Sequence, residues 1–126
     1  MSLYHFTCVD HGHPAIQASG VLRPNLHRLL PELGPIVWLT DLAEPTRDAV
    51  GLTSVHLSCD RLAVRYELRQ GAVADLQWWP FVRERCAPNV VADLQRFGLS
   101  SHWWITGKPV PLETALIGWR KMEALS

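Results

Sequence analysis

The chain is short of cysteine. Its three, Cys8, Cys59 and Cys86, form no Cys-x-x-Cys pair, which argues against a disulfide framework and against a structural zinc site built on thiolates. No stretch reaches the ~18 consecutive apolar residues of a membrane-spanning helix. The opening MSLYHFT has no basic segment followed by an apolar run, so neither a span nor a secretory signal is expected. Charge is scarce too: charged residues are 19%, and 12 basic side chains balance 12 acidic ones. That excludes a basic nucleic-acid footprint over the whole chain, though not a local patch. There is no Gly-x-Gly-x-x-Gly, no Walker A loop and no Gly-x-Ser-x-Gly. The common phosphate cradles and the nucleophile elbow are therefore excluded.

What is there is a chain of 126 residues, 48% of them apolar. That is the size of one domain, here 1–126, and it buries roughly two-thirds of its unfolded surface without needing a cross-link. Apolar content this high with no net charge does not suit a disordered chain. The expectation is a soluble, cytoplasmic protein with no membrane partner. Six Trp against two Tyr and three Phe suit a packed core and can also supply a stacking surface.

Nine Pro and eight Gly cut the chain into short elements. Leu3 to Val9, rich in aromatic and β-branched residues, reads as a first strand. Pro14 to Ser19 reads as a short helix closed by Gly20, followed by a short extended piece from Val21 to Pro24. Leu26, Leu29, Leu30 and Leu33 have helical spacing interrupted by Pro31. Ile36 to Thr40 is the best short buried strand. Asp41 to Ser54 has no period and is long enough to be a functional loop. Between 61 and 69, Leu62, Val64, Tyr66 and Leu68 alternate with Arg61, Ala63, Arg65, Glu67 and Arg69, the pattern of a strand with one buried face. Trp78-Trp79-Pro80 turns a corner into a helix. Pro88 opens another, with Val90, Val91, Leu94 and Phe97 as its apolar stripe and Gly98 at its end. His102 to Thr106 is a strand, and Ala115 to Met122 a closing one. Short clustered strands, with helices that do not alternate regularly, predict an α+β class with an antiparallel or mixed sheet.

Several side chains could carry chemistry. His5 lies inside an apolar strand, a stiff mount for a ring that donates to a ligand or to backbone. His11 and His13 sit two apart, as metal ligands sometimes do, but in a turn where solvated imidazoles are the simpler expectation. Cys8 lies near His5 and His11 with no third group to orient a nucleophile, so all three cysteines are expected to be structural thiols. Arg61, Arg65 and Arg69 share a strand face that suits a pyrophosphate or simply solvent. In each of the pairs Trp78-Trp79 and Trp103-Trp104, one ring is expected in the core, because strand neighbours point to opposite faces.

Three stretches carry a resemblance. The first is Leu3-Tyr4-His5-Phe6-Thr7, followed by Ile16 through Gly20 to Val21-Leu22-Arg23-Pro24. The second is Ile36-Val37-Trp38-Leu39-Thr40. The third is Trp103-Trp104-Ile105-Thr106 with Val110-Pro111-Leu112-Glu113. Together they resemble the ADP-ribosyltransferase-like superfamily, in particular its small bacterial and phage members, among them DNA-modifying toxins and, more distantly, RNA 2′-phosphotransferases. The resemblance implies two small antiparallel or mixed sheets flanked by short helices, with NAD in the cleft between them. It implies that His5 bonds the ribose beside the nicotinamide, that the Tyr4–Thr7 backbone clasps the carboxamide, and that Thr40 or Trp38 borders the ring. Phe6 and Arg65 complete the expected NAD contacts. The loop from Asp41 would cover the site or meet the second substrate.

Chemistry in this group needs a carboxylate to stabilise the ribosyl cation or activate the acceptor. Neither Glu-x-Glu nor Gln-x-Glu occurs in the chain; Glu113 lies near the expected place, and Glu67 is the other candidate. The activity so implied is cleavage of the nicotinamide–ribose bond of NAD and transfer of ADP-ribose to a protein or nucleic-acid acceptor, as a toxin or phage–host conflict factor. Two rivals stand beside it. One is a catalytically inert protein-binding module on the same scaffold. The other is a metal-dependent hydrolase using His5, His11 and His13.

Overall fold

Strand β1 (Ser2–Thr7) takes the middle of the sheet because both of its faces are covered. Leu3 and Thr7 are buried on one side, while Tyr4 and Phe6 are half-buried on the other. The computed structural model describes residues 1–44, 62–96 and 99–122. The expectations placed on Arg61, Phe97, Gly98, Cys59 and the loop beyond Glu44 fall outside them.

After β1 come helix α1 (Gly12–Ser19) and three strands, β2 (Val21–Leu22), β3 (Asn25–Leu26) and β4 (Pro35–Thr40). Strand β5 (Val64–Arg69) is followed by β6 (Gln77–Trp78), which runs straight into helix α2 (Trp79–Val82). Helix α3 (Pro88–Gln95) precedes β7 (Trp103–Thr106). The chain then forms β8 (Val110–Pro111), helix α4 (Leu112–Ala115) and β9 (Leu116–Lys121). The main sheet has the order β6-β7-β4-β1-β5-β9 with β3 added beside β4, seven strands in all among the described residues. The pair β2-β8 forms a separate ribbon. All the pairings described are antiparallel. The α+β class therefore holds, but the two sheets are unequal. The late strands β7 and β9 join β4 and β5 in one sheet instead of building a second.

Register assigns the faces, since residues directly opposite in an antiparallel pair share a side. One face carries Leu3, Val37, Leu39, Val64, Tyr66 and Leu68. It packs under Ile16 of α1, Leu22, Val110 and Ala115. The alternation read across 62–69 is thus the buried face of β5. The other face has two halves. Toward β7 it is apolar, with Ile36, Trp103 and Ile105 under Trp79 and Val82 of α2, and with Val90, Val91 and Leu94 of α3 beside them. Toward β5 it carries Tyr4, Arg65, Glu67 and Arg69.

The expected helical stripe from Leu26 to Leu33 does not form. Residues 25–26 are strand, and a 3-10 turn spans Pro31–Leu33. Pro31 lacks an N–H and disfavours the helical conformation at Leu30. Of the four leucines, Leu30 is fully buried whereas Leu26 and Leu29 are exposed. Helix α1 ends as expected, with Gly20 at φ 70° and its N–H bonded to the Ile16 carbonyl. Gly12, at the helix start, is required for a different reason. A Cβ there would lie 1.7 Å from Thr7 Oγ1, so only glycine lets α1 turn back this close to β1.

Candidate functional site

The sheet forks beside β1. Strand β1 pairs with β5 along six residues, from Ser2 opposite Arg69 to Thr7 opposite Val64. With β4 it makes one pair, Tyr4 opposite Thr40. At the other end of β4, Asn25 and Leu26 of β3 pair with Ile36 and Pro35. Between those points, β1 and β3 diverge and leave the Val37–Leu39 edge of β4 without a strand partner among the described residues. A strand edge of this kind presents backbone donors and acceptors to whatever enters.

His5 stands in this fork. Its Nδ1 lies 3.0 Å from the Trp38 carbonyl oxygen. A carbonyl only accepts, so Nδ1 is the donor in this bond. The imidazole replaces a ladder bond that diverging strands cannot make. Trp38 forms the wall on the β4 side. It is half-buried, with its ring centroid 5.4 Å from those of Trp79 and Trp103 and 5.7 Å from that of His27.

Two rows of side chains run across the polar half-face next to the fork. Register places Glu67, Tyr4 and Thr40 in one and Arg65 with Phe6 in the next. The Arg65 guanidinium lies over the Tyr4 ring, 5.0 Å from its centroid, and Nη1 donates to the Ala43 carbonyl at 2.9 Å. Arg65 Nε is buried with no hydrogen-bond partner among the described residues. Glu67 is half-buried and accepts from the Ser2 hydroxyl at 2.7 Å. Thr40 is buried, and its Oγ1 accepts from the Leu42 N–H at 3.2 Å, so it holds the turn that ends β4. Thr7 is buried on the opposite face, against Gly12.

Of the residues singled out from sequence, register puts Tyr4, Phe6, Trp38, Thr40 and Arg65 on one face of the sheet, whereas His5, opposite Tyr66, belongs to the other face and reaches the Trp38 carbonyl at the strand edge. Glu113 is not with them. It lies exposed on α4, which follows the β2–β8 ribbon. Glu67 is the carboxylate on the face of Tyr4, Thr40 and Trp38, the face opposite to that of His5.

Two further polar groups were not legible in the sequence. Asp41, next to Thr40, accepts from His102 Nδ1 at 2.5 Å through one oxygen and from the Trp104 indole N–H at 3.1 Å through the other. His13 is no solvated turn residue. Its Nδ1 lies 2.6 Å from the Tyr66 hydroxyl, and its ring centroid is 4.4 Å from that of Trp119. Gln17 Nε2 donates to the same hydroxyl at 3.0 Å. Among the described residues no three His, Cys, Asp or Glu side chains gather as a metal-binding set. Cys8 and Cys86 are buried, and the Cys8 sulfur accepts from the Gly12 N–H at 3.4 Å. Burial chiefly, with Glu32 adding, pushes the Cys86 thiol above its ordinary range, which makes it a poor nucleophile.

Burial also raises the Tyr66 hydroxyl above its ordinary 10.0, partly offset by the bond from Gln17. The unfolded phenol ionises first as pH rises, so between 10.0 and the higher folded value the folded state holds more protons. Its contribution is therefore complete below pH 10.0 and is lost as pH rises through the folded value. Tyr66→Phe is expected to flatten the fall of the urea midpoint above pH 10.0 while lowering stability at neutral pH by about 1 kcal/mol. Urea titrations across the alkaline range check both effects. An unchanged alkaline slope would show that Tyr66 does not set it.

Comparison of the chain with protein-family models, curated proteins and solved structures finds no match.

Proposed function

We propose that the chain is an ADP-ribosyltransferase-like enzyme that binds NAD at the fork of the sheet and cleaves its nicotinamide–ribose bond. The observation that carries this reading is the fork itself, an open strand edge with an imidazole standing in it. The nicotinamide carboxamide supplies one donor pair and one acceptor, which match strand backbone between His5 and Trp38. Trp38 gives the ring an apolar wall. His5, held at the strand edge by its bond to the Trp38 carbonyl, is placed toward the ribose. The pyrophosphate lies toward Arg65 and Arg69, on the half-face where Arg65 Nε has a hydrogen still to give.

Glu67 is the carboxylate in this scheme. The C1′–N bond breaks and its electron pair leaves with neutral nicotinamide. The ribosyl cation that develops is stabilised by the negative charge of Glu67, oriented by Ser2. An acceptor nucleophile then forms the new bond to C1′ and gives up its proton. The acceptor is a protein or a nucleic acid, and the biological setting is a toxin or phage–host conflict. The test is release of free nicotinamide from NAD by the purified chain. Saturable release supports the reading, and no release with NAD raised to roughly 1 mM, the top of the ordinary KM range, overturns it.

A further inference from the structure

A second surface lies at the outer edge of the sheet, away from the fork. Leu76, Gln77, Trp78, Phe81, Arg85 and Trp104 are among the residues lining a groove of about 580 Å3 along β6 and β7, within the size range of ligand sites. Trp78 and Trp104 face one another across the β6–β7 pair and are stacked, with centroids 6.0 Å apart and planes at 29°. Phe81 meets Trp78 edge-on at 5.6 Å and is 77% exposed. An aromatic ring left this open in a chain that buries Trp79 and Trp103 completely is not needed by the core.

Both indole N–H groups of the groove are occupied inside the molecule. Trp78 donates to the Ser101 carbonyl at 2.8 Å and Trp104 to Asp41 at 3.1 Å. These bonds fix the rings and leave their π-faces as what they offer. A peptide laid in the groove would bring backbone carbonyls that need donors, and these two are already used. A base laid face-on needs none, because stacking requires only a flat ring. Charge agrees. Arg85 lines the groove and, among the described residues, bonds a neutral amide, Gln77 Oε1 at 3.2 Å. Arg83, at the other end of the same 3-10 turn and outside the lining, bonds Gln95 Oε1 at 3.2 Å. Neither forms an ion pair among the described residues, and Glu84 between them is not part of the lining.

We propose that the Trp78–Trp104–Phe81 groove binds an unpaired base of a single-stranded nucleic acid, with Arg85 on the adjoining phosphate. The site stands without NAD and is tested without it.

The experiment is fluorescence anisotropy of fluorescein-labelled oligothymidine and oligouridine with the full chain. Saturable binding to either strand is expected, with the matching duplex much weaker. The two labels decide between DNA and RNA. Phe81→Ala weakens binding roughly tenfold, within the range seen when one stacking ring is removed. Because Phe81 is so exposed, that variant keeps its circular dichroism spectrum. Arg85→Gln reduces the slope of log affinity against log salt by about 0.7, the value of one phosphate contact on a single strand. A merely structural role for Arg85 would leave that slope unchanged. The proposal is overturned by absence of binding, by equal binding of strand and duplex, or by binding that Phe81→Ala does not touch. Self-association that Phe81→Ala abolishes, without oligonucleotide binding, would assign the groove to a second copy of the chain and also overturn it.

Discussion

Glu67→Gln lowers the rate of nicotinamide release from NAD by about 100-fold or more, while Glu113→Gln leaves it unchanged. The magnitude is that of losing one preorganised charge aimed at a charge that develops in the transition state. Gln keeps the shape of Glu67 and can still accept from the Ser2 hydroxyl, so the fold and the NAD affinity are expected to survive. The loss falls on kcat, because the carboxylate is aimed at the ribose, which becomes positive only as the pyridinium nitrogen takes the electron pair of the breaking bond. Glu113 is the sharper half of the comparison. Sequence order puts it near the position where the resemblance to ADP-ribosyltransferase-like proteins implies an acidic residue, but the fold leaves it exposed on α4 beyond the β2–β8 ribbon. Steady-state rates for the two variants, with NAD varied, decide between them. A loss in Glu113→Gln with Glu67→Gln intact would move the site to the other side of the molecule.

Trp103→Ala is expected to destabilise the chain by ~3–5 kcal/mol. Trp103 is fully buried. Its ring centroid lies 5.4 Å from that of Trp38 and 5.8 Å from that of Trp79. Its strand residue is paired with Thr40, so the ring ties α2 to the strand that forms one wall of the fork. Truncation leaves a cavity that the surrounding rings cannot collapse to fill. Against a total of about 5–15 kcal/mol for a natural domain, this is a large share, and the melting temperature should fall by about 10–25 °C. Trp103→Phe retains a ring and should cost much less. Thermal and urea unfolding of the two variants measure the difference. A small loss in the alanine variant would mean that the packing of α2 on β7 carries little of the fold's stability.

Local elements were legible wherever one signal dominated. Alternation between Leu62 and Arg69 gave a strand and its buried face, and Gly20 gave the end of α1. Trp78-Trp79-Pro80 gave the corner at which β6 becomes α2. The helical spacing of Leu26, Leu29, Leu30 and Leu33 misled because Pro31 weakened the helix more than the leucines supported it. The site was legible by residue type but not by arrangement. His5, Trp38 and Arg65 stand out in the chain, yet the fork that unites them depends on where β1 stops pairing with β4 and where β3 begins. The β1–β4 part of it is a register between Tyr4 and Thr40, 36 residues apart in sequence, and no local pattern encodes it. The choice of Glu67 over Glu113 has the same origin, since only the pairing of Glu67 with Tyr4 puts it beside β1, on the face of Thr40 and Trp38. His13 looked like a turn residue because the turn is local, while its partners Tyr66 and Trp119 arrive from β5 and β9.

The most direct test of the fork as the NAD site is a titration of the chain and of His5→Ala with NAD. It follows tryptophan fluorescence and free nicotinamide in the same sample. Trp38 reports from the wall of the fork, so the account predicts saturable quenching and nicotinamide release in the wild type. Both should be lost or shifted by at least tenfold in His5→Ala, the scale of a hydrogen bond to a charged or strongly polarised group. Quenching and release that persist unchanged in His5→Ala would contradict the account and place any NAD chemistry elsewhere in the chain.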